Sequence, residues 1–88
     1  MVGSMTIRQT ILHTLKDVAA SSQIILVDPL TDETVLLQSG LDSLGFAILV
    51  ARLEEQLGFD PFTMTDEPVY PRTLGEFITF YELMYQRL

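Results

Sequence analysis

Gly40-Leu41-Asp42-Ser43-Leu44, running on through Gly45-Phe46-Ala47-Ile48-Leu49-Val50-Ala51 to Leu57-Gly58, is the stretch that decides the fold. Asp-Ser is a common N-cap pair, so a helix opens at Asp42 or Ser43 and runs to about Leu57. Gly58 is well placed as its left-handed stop. Phe46, Leu49, Val50, Leu53 and Leu57 recur at helical spacing and make one stripe for the core. Leu44, Ala47, Ile48 and Ala51 fall nearer the other side, because the run from Leu44 to Ala51 is apolar without a break. Apolar residues turned outward on one helix suggest a docking surface, and Glu54 and Glu55 add negative charge one turn further on. The competing reading is that the long preceding loop covers this face.

Upstream, Thr6 to Ala20 reads as a helix, with Ile7, Ile11, Leu15 and Val18 at helical spacing. Thr6 and Gln9 have the spacing of a capping box, and Ser21-Ser22 is a plausible stop. Gln23 to Leu41 is ambiguous. Ile24-Ile25-Leu26-Val27 has strand composition, but no second convincing strand is available to pair with it. It is read as a further helical turn or an apolar anchor in a long loop, ended by Asp28-Pro29, with Leu30, Val35, Leu36 and Leu37 as later anchors. A connection of this length in a small domain is uncommon and usually functional.

Downstream, Pro61, Pro68 and Pro71 interrupt the chain, leaving room for at most one helical turn near Asp66 to Tyr70. Thr73 and Glu76 form a second capping-box pattern. The final helix follows to about Arg87, with Leu74, Phe77, Ile78, Tyr81, Met84, Tyr85 and Leu88 on its apolar side. The sum is an all-α protein, a small bundle of three to four helices with a long loop between the first and second. Met1-Val2-Gly3-Ser4, ahead of a second methionine at Met5, reads as a cloning remnant, and residues 5–88 as a single domain.

The 88 residues suffice for one small domain. A domain of this size buries only roughly 60% of its unfolded surface. There are no cysteines, which rules out disulfides and fits a reducing cytoplasm. With one histidine, a side-chain zinc site would have to be built mostly of carboxylates, an unusual choice. The formal net charge of -7 disfavours nucleic acid and anionic membrane surfaces as partners and favours proteins with basic patches. The longest apolar run falls far short of the roughly 20 residues of a membrane span. No charged segment followed by an apolar one opens the chain, so a secretory signal is not expected.

The chemistry-bearing candidate is Ser43. At a helix N-terminus the free backbone N–H groups and the helix dipole favour a negative group, so a phosphodiester on its hydroxyl would be stabilised there. Gly40 allows the tight backbone approach that brings the loop in. A nucleophilic hydrolase fits poorly. The elbow motif needs glycine two residues before and two after the serine; Gly45 fits, but Leu41 stands where the first should be. The single histidine, His13, lies within the first helix and reads as a half-exposed helix residue rather than a triad partner. The chain is also short for a substrate cleft of the size enzymes use.

Gly40-Leu41-Asp42-Ser43-Leu44, followed by a helix ending Leu53-Glu54-Glu55-Gln56-Leu57-Gly58, resembles the acyl carrier protein family. The resemblance extends over nearly the whole chain in the order of its elements. It implies an acyl-carrier-type bundle and a non-catalytic role. A phosphopantetheinyl transferase would move 4'-phosphopantetheine from coenzyme A to Ser43. The arm would then carry an acyl or aminoacyl group as a thioester. The partners implied are that transferase, an acyl- or aminoacyl-activating ligase, and downstream transferases or synthases. Recognition by the second helix would fall on Asp42, Leu44, Ala47, Ile48, Ala51, Glu54 and Glu55. A cytoplasmic monomer is expected. Gly45 and Ile48 stand where carriers of fatty acid synthesis usually have acidic residues, and Pro68 and Pro71 shorten or distort the third helix. Both departures point to a specialised biosynthetic pathway. The alternative is an unmodified helical adaptor that binds proteins through its second helix.

Overall fold

A computed structural model describes residues 5–88, and the reading of residues 1–4 lies outside the described residues. Helix α1 spans Ile7–Ser21, α2 spans Ser43–Leu57 and α3 spans Leu74–Tyr85, with 3-10 turns at Leu36–Gln38 and Pro61–Thr63. Among the described residues there is no strand, and one isolated antiparallel bridge joins Val35 to Thr73.

The start of α1 is fixed by its capping box. The Thr6 hydroxyl accepts the Gln9 N–H at 3.0 Å, and the Gln9 side chain accepts the Thr6 N–H at 2.9 Å. The helix buries Ile11, Leu15 and Val18 completely against α2 and α3. Full burial of such a side chain contributes about 1.5–3 kcal/mol.

The long loop is held by apolar anchors and by backbone bonds. Ile24, Leu26 and Leu30 pack half-buried against the core, while the Val27 N–H donates to the Ser39 carbonyl at 2.8 Å. The helical turn in this loop comes at Leu36–Gln38, not at Ile24–Val27, and Leu37 is no anchor, being 58% exposed. The loop then docks on the start of α3. Leu36 N–H donates to the Arg72 carbonyl at 3.0 Å, Leu74 N–H to Thr34 at 2.8 Å and Gly75 N–H to Asp32 at 2.8 Å. From the other side Arg8 grips the Asp32 carboxylate at 2.7 and 3.0 Å. Those hydrogen bonds hold the Asp32 carboxyl below its usual range. Because the pair is exposed, it orients the loop more than it stabilises it.

Between α2 and α3 the expected turn at Asp66 to Tyr70 is absent, and the turn forms instead at Pro61–Thr63. Asp60 is the reason: its side chain caps the Phe62 N–H at 2.9 Å, and Pro61 occupies the first position, where a missing N–H costs nothing. Helix α3 keeps half of its expected box. Thr73 accepts from the Glu76 N–H at 3.1 Å, but the Glu76 carboxylate accepts from Arg72, one residue earlier, at 2.8 Å. The helix ends at Tyr85 rather than Arg87. Tyr85 and Leu88 are 53% and 69% exposed, so they leave the expected apolar side, which gains Phe80.

The interior is aromatic. Phe77 and Tyr81 stand 4.8 Å apart between ring centroids, and Phe46 meets Phe77 edge-on at 5.6 Å. The Tyr81 hydroxyl is buried and makes no hydrogen bond among the described residues. Burial, reinforced by the charges of Asp60 and Glu54, pushes the phenol pKa up, so the group stays neutral. A buried hydroxyl without a partner costs about 1–3 kcal/mol. Tyr81→Phe is therefore expected to raise the urea midpoint, by the equivalent of about 1 kcal/mol. A lowered midpoint would show that the hydroxyl is satisfied in solution.

Candidate functional site

Ser43 is the first residue of α2, and it is exposed. Its hydroxyl makes no hydrogen bond among the described residues. Asp42 is the N-cap, with extended backbone, and its carboxylate accepts the Gly45 N–H at 2.7 Å. The Asp42 carbonyl takes the Phe46 N–H at 2.9 Å. The Ser43 and Leu44 N–H groups of the first turn have no acceptor within the helix, which is the common condition of helix starts. An anion on the serine hydroxyl would lie over these donors and the positive end of the dipole. The neighbouring Asp42 carboxylate opposes it, but that carboxylate is exposed and tied to Gly45, and solvent screens the repulsion.

Two glycines set this serine in place. Gly40 has φ +109, and a side chain there would run into the Ile25 carbonyl oxygen. Gly45 is buried; an added Cβ would lie 2.8 Å from Leu41 Cδ1 and 3.2 Å from Ile24 Cδ1. The loop therefore touches α2 at Gly45, underneath the serine. It leaves Leu44, 69% exposed, and also Ala47 and Ala51 open to solvent. The reading in which the loop covers this face fails at these three positions. Ile48 is half-buried and packs against the core. Asp42, Glu54 and Glu55 are exposed. Of the core stripe, Leu49 and Leu53 are fully buried, while Phe46, Val50 and Leu57 are half-buried at the edge. Gly58 ends the helix with φ +83.

His13 is exposed on α1, with Nε2 3.3 Å from the Asp17 carboxylate. Its partner is on its own helix, and among the described residues no side chain hydrogen-bonds the Ser43 hydroxyl.

The pattern of residues missed one feature. A cleft of about 360 Å³ opens between the first 3-10 turn, α2, the second 3-10 turn and residues 69–72. Phe46 and Phe62 line it, with Val69 and Tyr70 on the side of the α3 approach. The signal for it was present in Val69 and Tyr70, apolar residues among prolines with no helix to bury them. No helix among the described residues is long and apolar enough to cross a membrane.

A family model, described as the phosphopantetheine attachment site, matches residues 7–66, more than half of the chain. Residues 67–88, with α3, lie outside that match, so the likeness seen over nearly the whole chain rests there on the order of elements. No curated protein and no solved structure matches the chain.

Proposed function

The chain belongs to the phosphopantetheine attachment family, and we propose that Ser43 is the residue that bears its prosthetic group. Members of the family hold 4'-phosphopantetheine covalently through a serine, and they are carriers rather than enzymes. The observation that supports Ser43 is its setting: an exposed, unbonded hydroxyl at the start of a 15-residue helix. The residues around it fit the group. The first-turn N–H groups face a phosphodiester, and the exposed hydroxyl has room for it. When bound, the arm supplies a terminal thiol on which an acyl or aminoacyl group is held as a thioester.

The rest of the chain then has a presenting role. Helix α2 keeps the serine rigid and outward, and Leu44, Ala47 and Ala51 offer an apolar face beside it. Glu54 and Glu55 extend that face with negative charge suited to basic partner surfaces. The partners in this reading are a phosphopantetheinyl transferase, an activating ligase, and the transferases or synthases that take the cargo on. Gly45 and Ile48, in place of acidic residues, favour a specialised biosynthetic pathway over housekeeping fatty acid synthesis. The protein acts in this reading as a cytoplasmic monomer.

Incubation with coenzyme A and a broad-specificity phosphopantetheinyl transferase, followed by intact mass measurement, tests the reading. A gain of one phosphopantetheine group is expected, and no gain would overturn it. Protein purified from its native host should carry the same group. If most of it does not, the unmodified adaptor replaces the carrier.

A further inference from the structure

We propose that the outer face of α3 is a second docking surface, and that its occupant is an amphipathic helix of a partner protein whose apolar ridge is bordered by lysine or arginine. This face is not the one beside Ser43, and the proposal does not rest on the reading of that serine.

The face follows from the spacing of the helix. Leu74, Phe77, Ile78 and Tyr81 turn inward and are buried. Gly75, Thr79 and Leu83 therefore fall in one outward row, each four residues after the last. Thr79 is exposed, and Leu83 is 51% exposed. The long loop lies across Gly75, where an added Cβ would sit 2.8 Å from the Asp32 Cβ. Between loop and row runs a trough of about 440 Å³, lined by Asp32, Gly75, Glu76, Thr79, Phe80 and Leu83. A second helix packs its own ridge along rows of this kind. Gly75 and Thr79 are small, so an approaching backbone comes close, and Leu83 and Phe80 supply apolar surface.

Charge selects the occupant. Two carboxylates, Asp32 and Glu76, line the trough, and no cation does. Arg8 matches the Asp32 charge at 2.7 Å. Glu76 accepts the Arg72 N–H and has no ion-pair partner among the described residues. Glu82, half-buried, adds a carboxylate beside Leu83. Arg87 follows Leu83 by four residues but lies past the end of α3. A basic border meets this rim with favourable charge. A second copy would bring Glu76 and Glu82 of two chains together, each chain with formal net charge -7. Nucleic acid and anionic membranes are repelled by the same charge. The trough is open along its length, so it suits an elongated ridge better than a small molecule, which binds in enclosing sites.

Position separates this surface from the first. No residue of α2 lines the trough, and every lining residue except Asp32 lies beyond residue 66, where the family match ends. A helix seated there need not cover Leu44, Ala47 or Ala51, so one partner can hold α3 while another engages α2.

The test titrates a synthetic helical peptide, with a leucine row bordered by lysines, into the isotope-labelled full chain and follows backbone amide shifts. Saturable shifts are expected at Thr79, Phe80 and Leu83. The affinity should fall several-fold as salt rises from about 0.1 to 1 M, which cuts the screening length from roughly 10 to 3 Å. The same peptide with glutamates in place of lysines should not bind. Leu83→Asp, at a half-exposed position, should abolish the α3 shifts. Glu76→Gln keeps an acceptor for the Arg72 N–H but removes the charge, and should weaken binding several-fold; it carries the test if Leu83→Asp fails to fold. Unchanged spectra away from α3 distinguish a lost surface from a lost fold. Ser43→Ala should bind the peptide like the original chain, so failure here leaves the attachment reading untouched. Shifts confined to Leu44, Ala47 and Ala51, no shifts at all, equal binding of the glutamate peptide, or α3 shifts that survive Leu83→Asp would overturn the proposal. Concentration-dependent shifts at the same amides without peptide, together with a dimer in sedimentation, would overturn it in favour of a second copy.

Discussion

Ser43→Ala should abolish loading with phosphopantetheine, while Ser21→Ala and Ser22→Ala should load as fully as the unaltered chain. The family's chemistry needs a serine, and the described residues hold four: Ser21, Ser22, Ser39 and Ser43. Ser39 is fully buried, and its hydroxyl donates to the Leu36 carbonyl. A transferase cannot reach it. Ser21 is the last residue of α1 and Ser22 its C-cap. There the unpaired carbonyls and the negative end of the dipole oppose a phosphodiester. Ser43 is exposed at the opposite kind of helix end, where N–H groups are free. Because the Ser43 hydroxyl holds nothing in the fold, the alanine variant should unfold within about 0.5 kcal/mol of the original. The mass spectrum and the melting curve together make the result decisive. A folded Ser43→Ala protein that still gains the group would refute the assignment.

The parts of the structure that were legible in the sequence share a cause. Helices α1 and α2 carry their own start and stop signals within a few residues. Thr6 with Gln9 settles the start of α1, and Asp42 with Gly58 settles both ends of α2, by local hydrogen bonds and a left-handed glycine. The segments that resisted reading depend on contacts distant in sequence. Ile24 and Leu26 look like a strand because they are apolar and branched, but their burial comes from α2 and the core, not from a neighbouring strand. The turn expected near Tyr70 forms instead at Pro61–Thr63, where the Asp60 side chain caps the Phe62 N–H and Pro61 takes the first position. Tyr85 and Leu88 have the helical spacing of core residues, but α3 ends at Tyr85, and both stay mostly open to solvent although Phe59 packs against one side of the Tyr85 ring. For the site, Ser43 could be singled out from its neighbours alone. The cleft could not, since it is assembled from four segments that meet only in the fold.

Gly40→Ala should be among the most damaging single-methyl changes in the chain, and the reason is backbone against backbone. Gly40 has φ +109, which side-chain-bearing residues rarely adopt. The added Cβ would overlap the Ile25 carbonyl oxygen and lie 3.1 Å from its carbon. No rotamer change relieves that contact. Residues 25–27 would have to move away, and the bond from Val27 N–H to the Ser39 carbonyl would stretch or break. Strain of about 1–3 kcal/mol and a lost hydrogen bond of about 1 kcal/mol together give roughly 2–4 kcal/mol. Against a total stability of about 5–15 kcal/mol, this is a large share. It corresponds to a melting temperature lower by roughly 10–25 °C for a domain of this size. Gly58 provides the control. Its φ is +83, but a Cβ there meets nothing within 4 Å, so Gly58→Ala carries the conformational cost alone, about 1 kcal/mol. If the two variants melt together, the close approach at Ile25 does not hold the loop. If Gly40→Ala melts far lower, the same contact that admits the loop beside α2 sets Leu41, Asp42 and hence Ser43 in place. Loading at temperatures below its melting point should then slow for Gly40→Ala and stay unchanged for Gly58→Ala.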